Sequence, residues 1–211
     1  MAEKRPDRAT EGAAALVAAL KTHPIIATVR TDEALAAAIA SPVRVIFLMA
    51  SSIGRVGVAS RTVAEAGKLL FIHLDFVEGL AKDDAGLDFL VKEARPAGLI
   101  TTRTGLVHSA RRAGAVPVQR LFLLDSTSMA TGVEAARTSK AEVVEVLPGI
   151  IPRAISAVRS QLPHSLIITG GLIRTEKEVA RALAAGASGV STSSGALWHV
   201  DLRTLEGESS S

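Results

Sequence analysis

Apolar positions along this chain fall into two alternating kinds of run. Short stretches are β-branched or aliphatic throughout, at 25–29, 43–49, 69–74, 98–101, 116–121, 143–147, 166–169 and 189–191. Between them lie longer stretches in which apolar residues recur three or four positions apart, the period of a helix with one buried face. Strands that read apolar throughout, rather than alternating, are buried on both faces, as in a parallel sheet. The helical stretches carry their own punctuation. Residues 13–21 place Leu16, Val17 and Leu20 on one face, and His23-Pro24 ends that helix. Thr31-Asp32 opens a helix that Pro42 stops, and Asp83-Asp84 opens another. Thr104 is expected to cap 105–113, and Ser126 or Ser128 a helix running through 137. Pro152 suits a first helical turn. Thr175 and Glu178 have capping-box spacing, and Gly186 closes their helix at 176–185. Ala-Gly-Ala recurs at 113–115 and 185–187, marking helix-to-strand turns. Residues 50–55 read as a small polar linker, and 195–200 as a short last helix.

Eight such strands alternating with helices predict an α/β fold, a single (β/α)8 TIM barrel over residues 11–205, with loose ends at 1–10 and 206–211. A doubly wound open sheet is the alternative, but no G-x-G-x-x-G turn follows the first strand.

Composition narrows the partners. At 211 residues the chain is long enough to bury a substantial core. It has no cysteine, which removes disulfides, thiolate metal sites and thiol nucleophiles. No apolar run is long enough to span a bilayer, and the mixed-charge start lacks a signal-peptide core, so a cytoplasmic protein without membrane contact is expected. A net charge of +3 is far below that of a dedicated nucleic-acid arm, and 3% aromatic residues argue against a base-stacking platform. Any nucleic acid would be met through phosphate contacts and shape. The small basic groups are Arg103 and the pair Arg111-Arg112.

In a barrel of this kind chemistry sits at the carboxyl ends of the strands. Those ends carry Arg30, Asp75 with Glu78, Thr102 with Arg103, Arg120, Asp125, Glu145, Gly170-Gly171 and Ser191-Thr192-Ser193. The charged members could simply pair with one another, Arg30 and Arg103 against Asp75 and Glu145. Glu145 stands inside its strand and is expected to point into the barrel, where it needs a cation or the hydroxyls of a polyol. The loops after strands seven and eight often form a phosphate site, which assigns that role to Gly170, Gly171, Ser191 and Thr192. Taken alone, the glycine pair favours a plain tight turn, and the phosphate reading gains from these being strands seven and eight of eight. His73 precedes Asp75 by two residues and shares its face, as a base with its orienter or as a satisfied core histidine. No spacing suggests a metal site, a cofactor or a nucleophilic triad.

Six stretches in order and at kept spacing resemble the glycerol-3-phosphate-responsive antiterminators, the glycerol uptake operon regulators of bacteria. They are His23-Pro24-Ile25-Ile26-Ala27, His73-Leu74-Asp75-Phe76-Val77-Glu78-Gly79-Leu80, Gly98-Leu99-Ile100-Thr101-Thr102, Gln119-Arg120-Leu121-Phe122-Leu123-Leu124-Asp125-Ser126, Glu145-Val146-Leu147-Pro148-Gly149 and Gly170-Gly171-Leu172-Ile173. The resemblance implies a barrel that binds glycerol 3-phosphate and acts on leader mRNA as a regulator, with no cofactor and no catalytic residue. It implies phosphate at Gly170, Gly171, Ser191 and Thr192. It makes Asp75, Glu78, Arg103, Arg120, Asp125 and Glu145 candidates for the glycerol hydroxyls or the charge network around them. Position 103 is Arg where the family pattern has Lys, and residues 50–58 are unlike the pattern. Arg111 and Arg112 are the candidate RNA contacts, with a solvated helix end as the alternative, and a homodimer stays open. The competing reading is a barrel enzyme acting on a small phosphorylated polyol or sugar with Asp75, Glu78 or Glu145 as base. A third is a metabolite sensor with a protein partner.

Overall fold

The computed structural model describes residues 7–201. Eight parallel strands close into a barrel: β1 Ile25–Val29, β2 Val45–Leu48, β3 Leu69–His73, β4 Gly98–Thr101, β5 Val116–Phe122, β6 Val143–Leu147, β7 Leu166–Gly170 and β8 Gly189–Thr192. Each pairs with its neighbours in sequence, and β8 closes on β1. Helix α1, Arg8–Thr22, precedes the first strand. Helices α2 Asp32–Ala40, α3 Val56–Glu65, α4 Asp84–Ala94, α5 Thr104–Arg112, α6 Ser126–Thr138, α7 Pro152–Gln161 and α8 Glu176–Ala184 follow β1 to β7 in turn. The chain is a (β/α)8 barrel, as the pattern of runs predicts. No described helix is long and apolar enough to cross a membrane.

Alternation along the strands sorts the core into two shells. Ile25, Ala27, Ile46, Leu70, Ile72, Val144 and Ile167 face outward to the helices. Ile26, Val45, Phe47, Phe71, Ile100, Val116, Val118, Val143 and Ile168 face inward and fill the barrel's lower half, with Phe47 and Phe71 in tilted ring contact at 5.6 Å. Leu16 and Leu20 of α1 belong to this inner shell, so α1 plugs the amino-terminal floor of the barrel. The fit is close. A Cβ on Gly12 would stand 2.8 Å from Val116 Cγ2, and one on Gly98 only 2.2 Å from the Phe71 ring.

Several local expectations are corrected. Residues 8–10, expected to be loose, are the first turn of α1, because Asp7 caps it by accepting from the Thr10 amide. Arg103, not Thr104, is the N-cap of α5 and offers no side-chain cap, while the Thr104 hydroxyl accepts from Gln119 Nε2. Asp125, not either serine, caps α6, and Ser128 completes a capping box with it. The 50–55 linker holds a two-residue strand, Ser51–Ser52, paired in parallel with Val77–Glu78. After β8 comes a 3₁₀ turn, Gly195–His199, whose Trp198 Nε1 donates to the Thr192 carbonyl at 2.9 Å. The Thr175–Glu178 box and the left-handed Gly186 stand as the sequence predicts. The expected tail at 206–211 lies outside the described residues.

The plug gives a direct test. Leu16→Ala should cost about 3 kcal/mol, the range for a buried leucine truncated in a packed core. Val17→Ala, on the partly exposed side of the same helix, should cost under about 1 kcal/mol. Urea unfolding of the two variants measures the difference, and equal costs would refute the plug.

Candidate functional site

Above Phe47 and Phe71 the barrel interior turns polar. Arg120 on β5 and Glu145 on β6 are register partners, so both point inward side by side. Glu145 is 1% exposed and Arg120 7%. Arg120 grips one carboxylate oxygen, Oε2, from Nη2 at 2.6 Å and from Nε at 2.8 Å. Ser191 Oγ on β8 donates to the other, Oε1, at 2.7 Å. That last bond crosses β7, and Gly170 makes the crossing possible. A Cβ there would lie 2.0 Å from Ser191 Oγ. Arg120 Nη2 also meets Met49 Sδ at 3.5 Å, where the polar layer joins the apolar one. A buried carboxylate without partners would be prohibitively costly, and here both oxygens are engaged.

This layer is the base of a cavity of about 530 Å³ open at the carboxyl end of the barrel. Thr28, Met49, Arg120, Glu145 and Ser191 line its depth. Gly171, Leu172, Arg174, Thr192, Ser193 and Ser194 form one wall, and Arg30, at the end of β1 beside β8, lines the cavity next to them. The wall is the pair of loops after β7 and β8. Gly171 and Leu172 both hold left-handed backbone, at φ 77° and 64°. The Thr192 hydroxyl donates to Ile173 O and accepts from the Ser194 amide, fastening the two loops together. The amides of Leu172 and Ser193 donate to no protein acceptor among the described residues. Arg30 and Arg174 form no ion pair among the described residues. Three guanidiniums face one carboxylate here, so the cavity carries two net positive charges.

The structure therefore brings together Gly171, Ser191, Thr192, Arg120 and Glu145. Gly170 lies beneath them as the gap that Ser191 fills. The remaining sequence candidates sit elsewhere. Asp75 lies on the 3₁₀ turn after β3, Leu74–Phe76, and accepts from Arg103 Nε at 3.1 Å. The two are an ion pair on the adjacent rim, not part of the cavity wall. Glu78 lines a neighbouring groove between α2 and α3, and Asp125 is occupied as the cap of α6. Arg111 and Arg112 lie at the far end of α5, paired with Glu142 and Asp84. Arg174 is the residue that sequence reading missed. Its only signal is position, between the Gly-Gly pair and the Thr175 cap.

His73 fits neither of its two readings. It is 2% exposed, and its Nδ1 has no hydrogen-bond partner among the described residues. Asp75 Oδ2 is 3.7 Å away, too far to orient it as a base. Burial first, and the nearby Arg120 second, push its pKa down to about 4 against the pull of Asp75.

The family model described as glycerol-3-phosphate responsive antiterminator matches residues 25–198. The chain belongs to this family. The antiterminator match covers every strand of the barrel and both cavity loops. Among solved structures, the glycerol uptake operon antiterminator regulatory protein of Listeria monocytogenes is 30% identical with a TM-score of 0.80, covering 83% of this chain and 95% of that one. A glycerol uptake operon antiterminator-related protein of Thermotoga maritima is 32% identical with a TM-score of 0.74, covering 82% and 96%. YgcP of Escherichia coli K12 is 30% identical over 186 residues, 88% of this chain and 97% of that protein.

His73 makes a pH prediction for this antiterminator barrel. Its folded pKa, about 4, lies below the unfolded value of 6.5, so only the unfolded chain takes up a proton readily between them. The stabilisation is complete above pH 6.5 and is lost as pH falls towards 4, by up to about 3 kcal/mol at 1.36 kcal/mol per unit. His73→Gln should remove most of this decline. A smaller decline of the same sign remains from His23, whose pKa burial also lowers. Urea unfolding of wild type and variant at neutral pH and in mild acid checks it, and identical slopes would rule it out.

Proposed function

We propose that the cavity binds glycerol 3-phosphate and that the protein, in the cytoplasm, acts through leader mRNA as a transcription antiterminator of glycerol-metabolism genes. The observation that carries the ligand is the pairing of two unlike halves in one cavity. One half is the wall of glycine and hydroxyl loops with free amides and the unpaired Arg30 and Arg174, which suits a phosphate monoester of nearly two negative charges. The other is the fixed trio Arg120, Glu145 and Ser191, whose donors and acceptors suit vicinal hydroxyls. In this reading Gly170 and Gly171 shape the phosphate loop, and Ser191 and Thr192 contribute from β8. Asp75, Glu78, Arg103 and Asp125 stay outside the ligand's reach. The family membership supplies the regulatory role. A ligand that binds one state better stabilises that state by about 2.7 kcal/mol at a hundredfold over its dissociation constant, which is enough to drive a switch.

The cavity offers little to the enzyme reading. No lysine lines it among the described residues, so it presents no Schiff-base nucleophile. Both oxygens of Glu145 are held by protein groups, which suits a fixed acceptor better than a mobile base. A barrel alone does not select among these readings.

Calorimetry tests the proposal. Glycerol 3-phosphate should bind at least about a hundredfold more tightly than glycerol or inorganic phosphate, a gap of about 2.7 kcal/mol. The double variant Arg30→Ala/Arg174→Ala should weaken it by about tenfold or more while leaving the unfolding midpoint in place, since neither residue has an ion-pair partner among the described residues. Absence of heat with glycerol 3-phosphate would reject the ligand.

A further inference from the structure

The amino-terminal floor of the barrel, opposite the cavity, carries positive charge that the fold itself does not require. Each helix from α4 to α8 has a basic residue in its last turn, and the helix dipole accounts for those. It does not account for three others. Arg8 opens α1, where the dipole disfavours a cation. Its methylene stem lies across Gly114, and its guanidinium donates to the Pro96 carbonyl and stands close enough to Arg95 for the two like charges to repel. Arg95 and Lys140 occupy left-handed positions at the ends of α4 and α6, at φ 48° and 52°. The equivalent turns after α3, α5 and α8 use Gly67, Gly114 and Gly186. A side chain in that conformation is strained where glycine is not. The floor thus spends backbone strain twice to keep a cation where glycine would fold more easily. None of Arg8, Arg95 and Lys140 has an ion-pair partner among the described residues, whereas Arg111 and Arg112 are turned to Glu142 and Asp84.

Resting on the reading of the chain as an antiterminator, we propose that RNA docks on this floor, with Arg8, Arg95 and Lys140 contacting the phosphate backbone and the Arg111-Arg112 pair peripheral. The metabolite and the nucleic acid then occupy opposite ends of one barrel. The inner apolar shell lies between them, from Met49 against Arg120 down to Leu16 and Leu20 of α1, the helix that Arg8 begins. Phosphate contacts of this kind position RNA and make its affinity depend on salt.

The left-handed backbone supplies the test, because Arg95→Gly/Lys140→Gly removes two charges while relieving strain. Its melting temperature should be equal to or above that of the wild type. Binding of a fluorescein-labelled single-stranded RNA of about 30 nucleotides, followed by anisotropy at about 50 to 150 mM salt with saturating glycerol 3-phosphate, should weaken about tenfold, with the salt slope shallower by about 1.4. Calorimetric affinity for glycerol 3-phosphate should not change. Arg111→Gln/Arg112→Gln removes the same charge and should lose about threefold or less. Equal losses in the two double variants, or a larger loss at Arg111 and Arg112, would overturn the floor assignment and leave the antiterminator reading standing. Wild-type protein that binds no RNA at low salt would reject both, whatever the ligand titration shows.

Discussion

A carboxylate in the middle of a strand, inside a barrel otherwise filled with aliphatic side chains, sets the terms for half of the interior. Glu145 is removed from water, and its charge has to be met within the protein. Arg120 does so from the register position beside it on β5, with two donors on one oxygen. Ser191 does so from β8, reaching over β7, and that reach dictates glycine at position 170. Four positions on four consecutive strands are thus linked by one buried charge. Removing Arg120 alone would leave that charge uncompensated, a loss of about 3–5 kcal/mol in comparable buried pairs. The arrangement also fixes where the cavity begins. Below Met49 the barrel is filled with apolar side chains, and above it Arg120, Glu145 and Ser191 hold one another in place.

Much of the barrel is legible in the chain because parallel strands buried on both faces write themselves as unbroken apolar runs. β1, β4 and β6 begin and end where those runs do, since they are followed at once by Arg30, Thr102 and Pro148. Helix starts were harder. Asp125 and Ser128 are both good caps, and the pattern alone does not say that they act together, the aspartate as N-cap and the serine reaching back to it. The start of α1 is hidden for another reason. Its first turn is mixed-charge and exposed, so no apolar periodicity marks it, and only the Asp7 cap does. The pairing of Ser51–Ser52 with Val77–Glu78 joins two loops far apart in sequence and has no local signature.

Within the site, the buried position of Glu145 follows from its place in an apolar strand, and the cavity wall from the glycine and hydroxyl loops after β7 and β8. What sequence could not supply was the choice of partner. Arg30, Arg103 and Arg120 were equivalent as cations until register put Arg120 beside Glu145, and the 3₁₀ turn put Asp75 beside Arg103. Arg174 was invisible because a loop arginine just before a helix cap is ordinary on any protein surface. The volume that the missing side chain of Gly170 leaves to Ser191 has no local signature either. The Arg111-Arg112 pair looked like a patch in one dimension, and its carboxylate partners Glu142 and Asp84 come from elements that only the fold brings near.

The helix that seals the floor stands ahead of every strand in chain order, yet the surface it seals does not exist until the barrel closes. Leu16 and Leu20 share one apolar cluster with residues drawn from β1 through β7, and a Cβ on Gly189 of β8 would already crowd Leu20. During synthesis α1 therefore emerges ahead of the strands, and its apolar face has no complete partner until they are made. Contacts of such long sequence separation slow folding, because the loop entropy is lost before the packing is gained. The seal also acts as a completeness check: a ribosomal product that stops short of β8 has a stopper and no neck to put it in, and is left with the exposed surface that chaperones and proteases recognise.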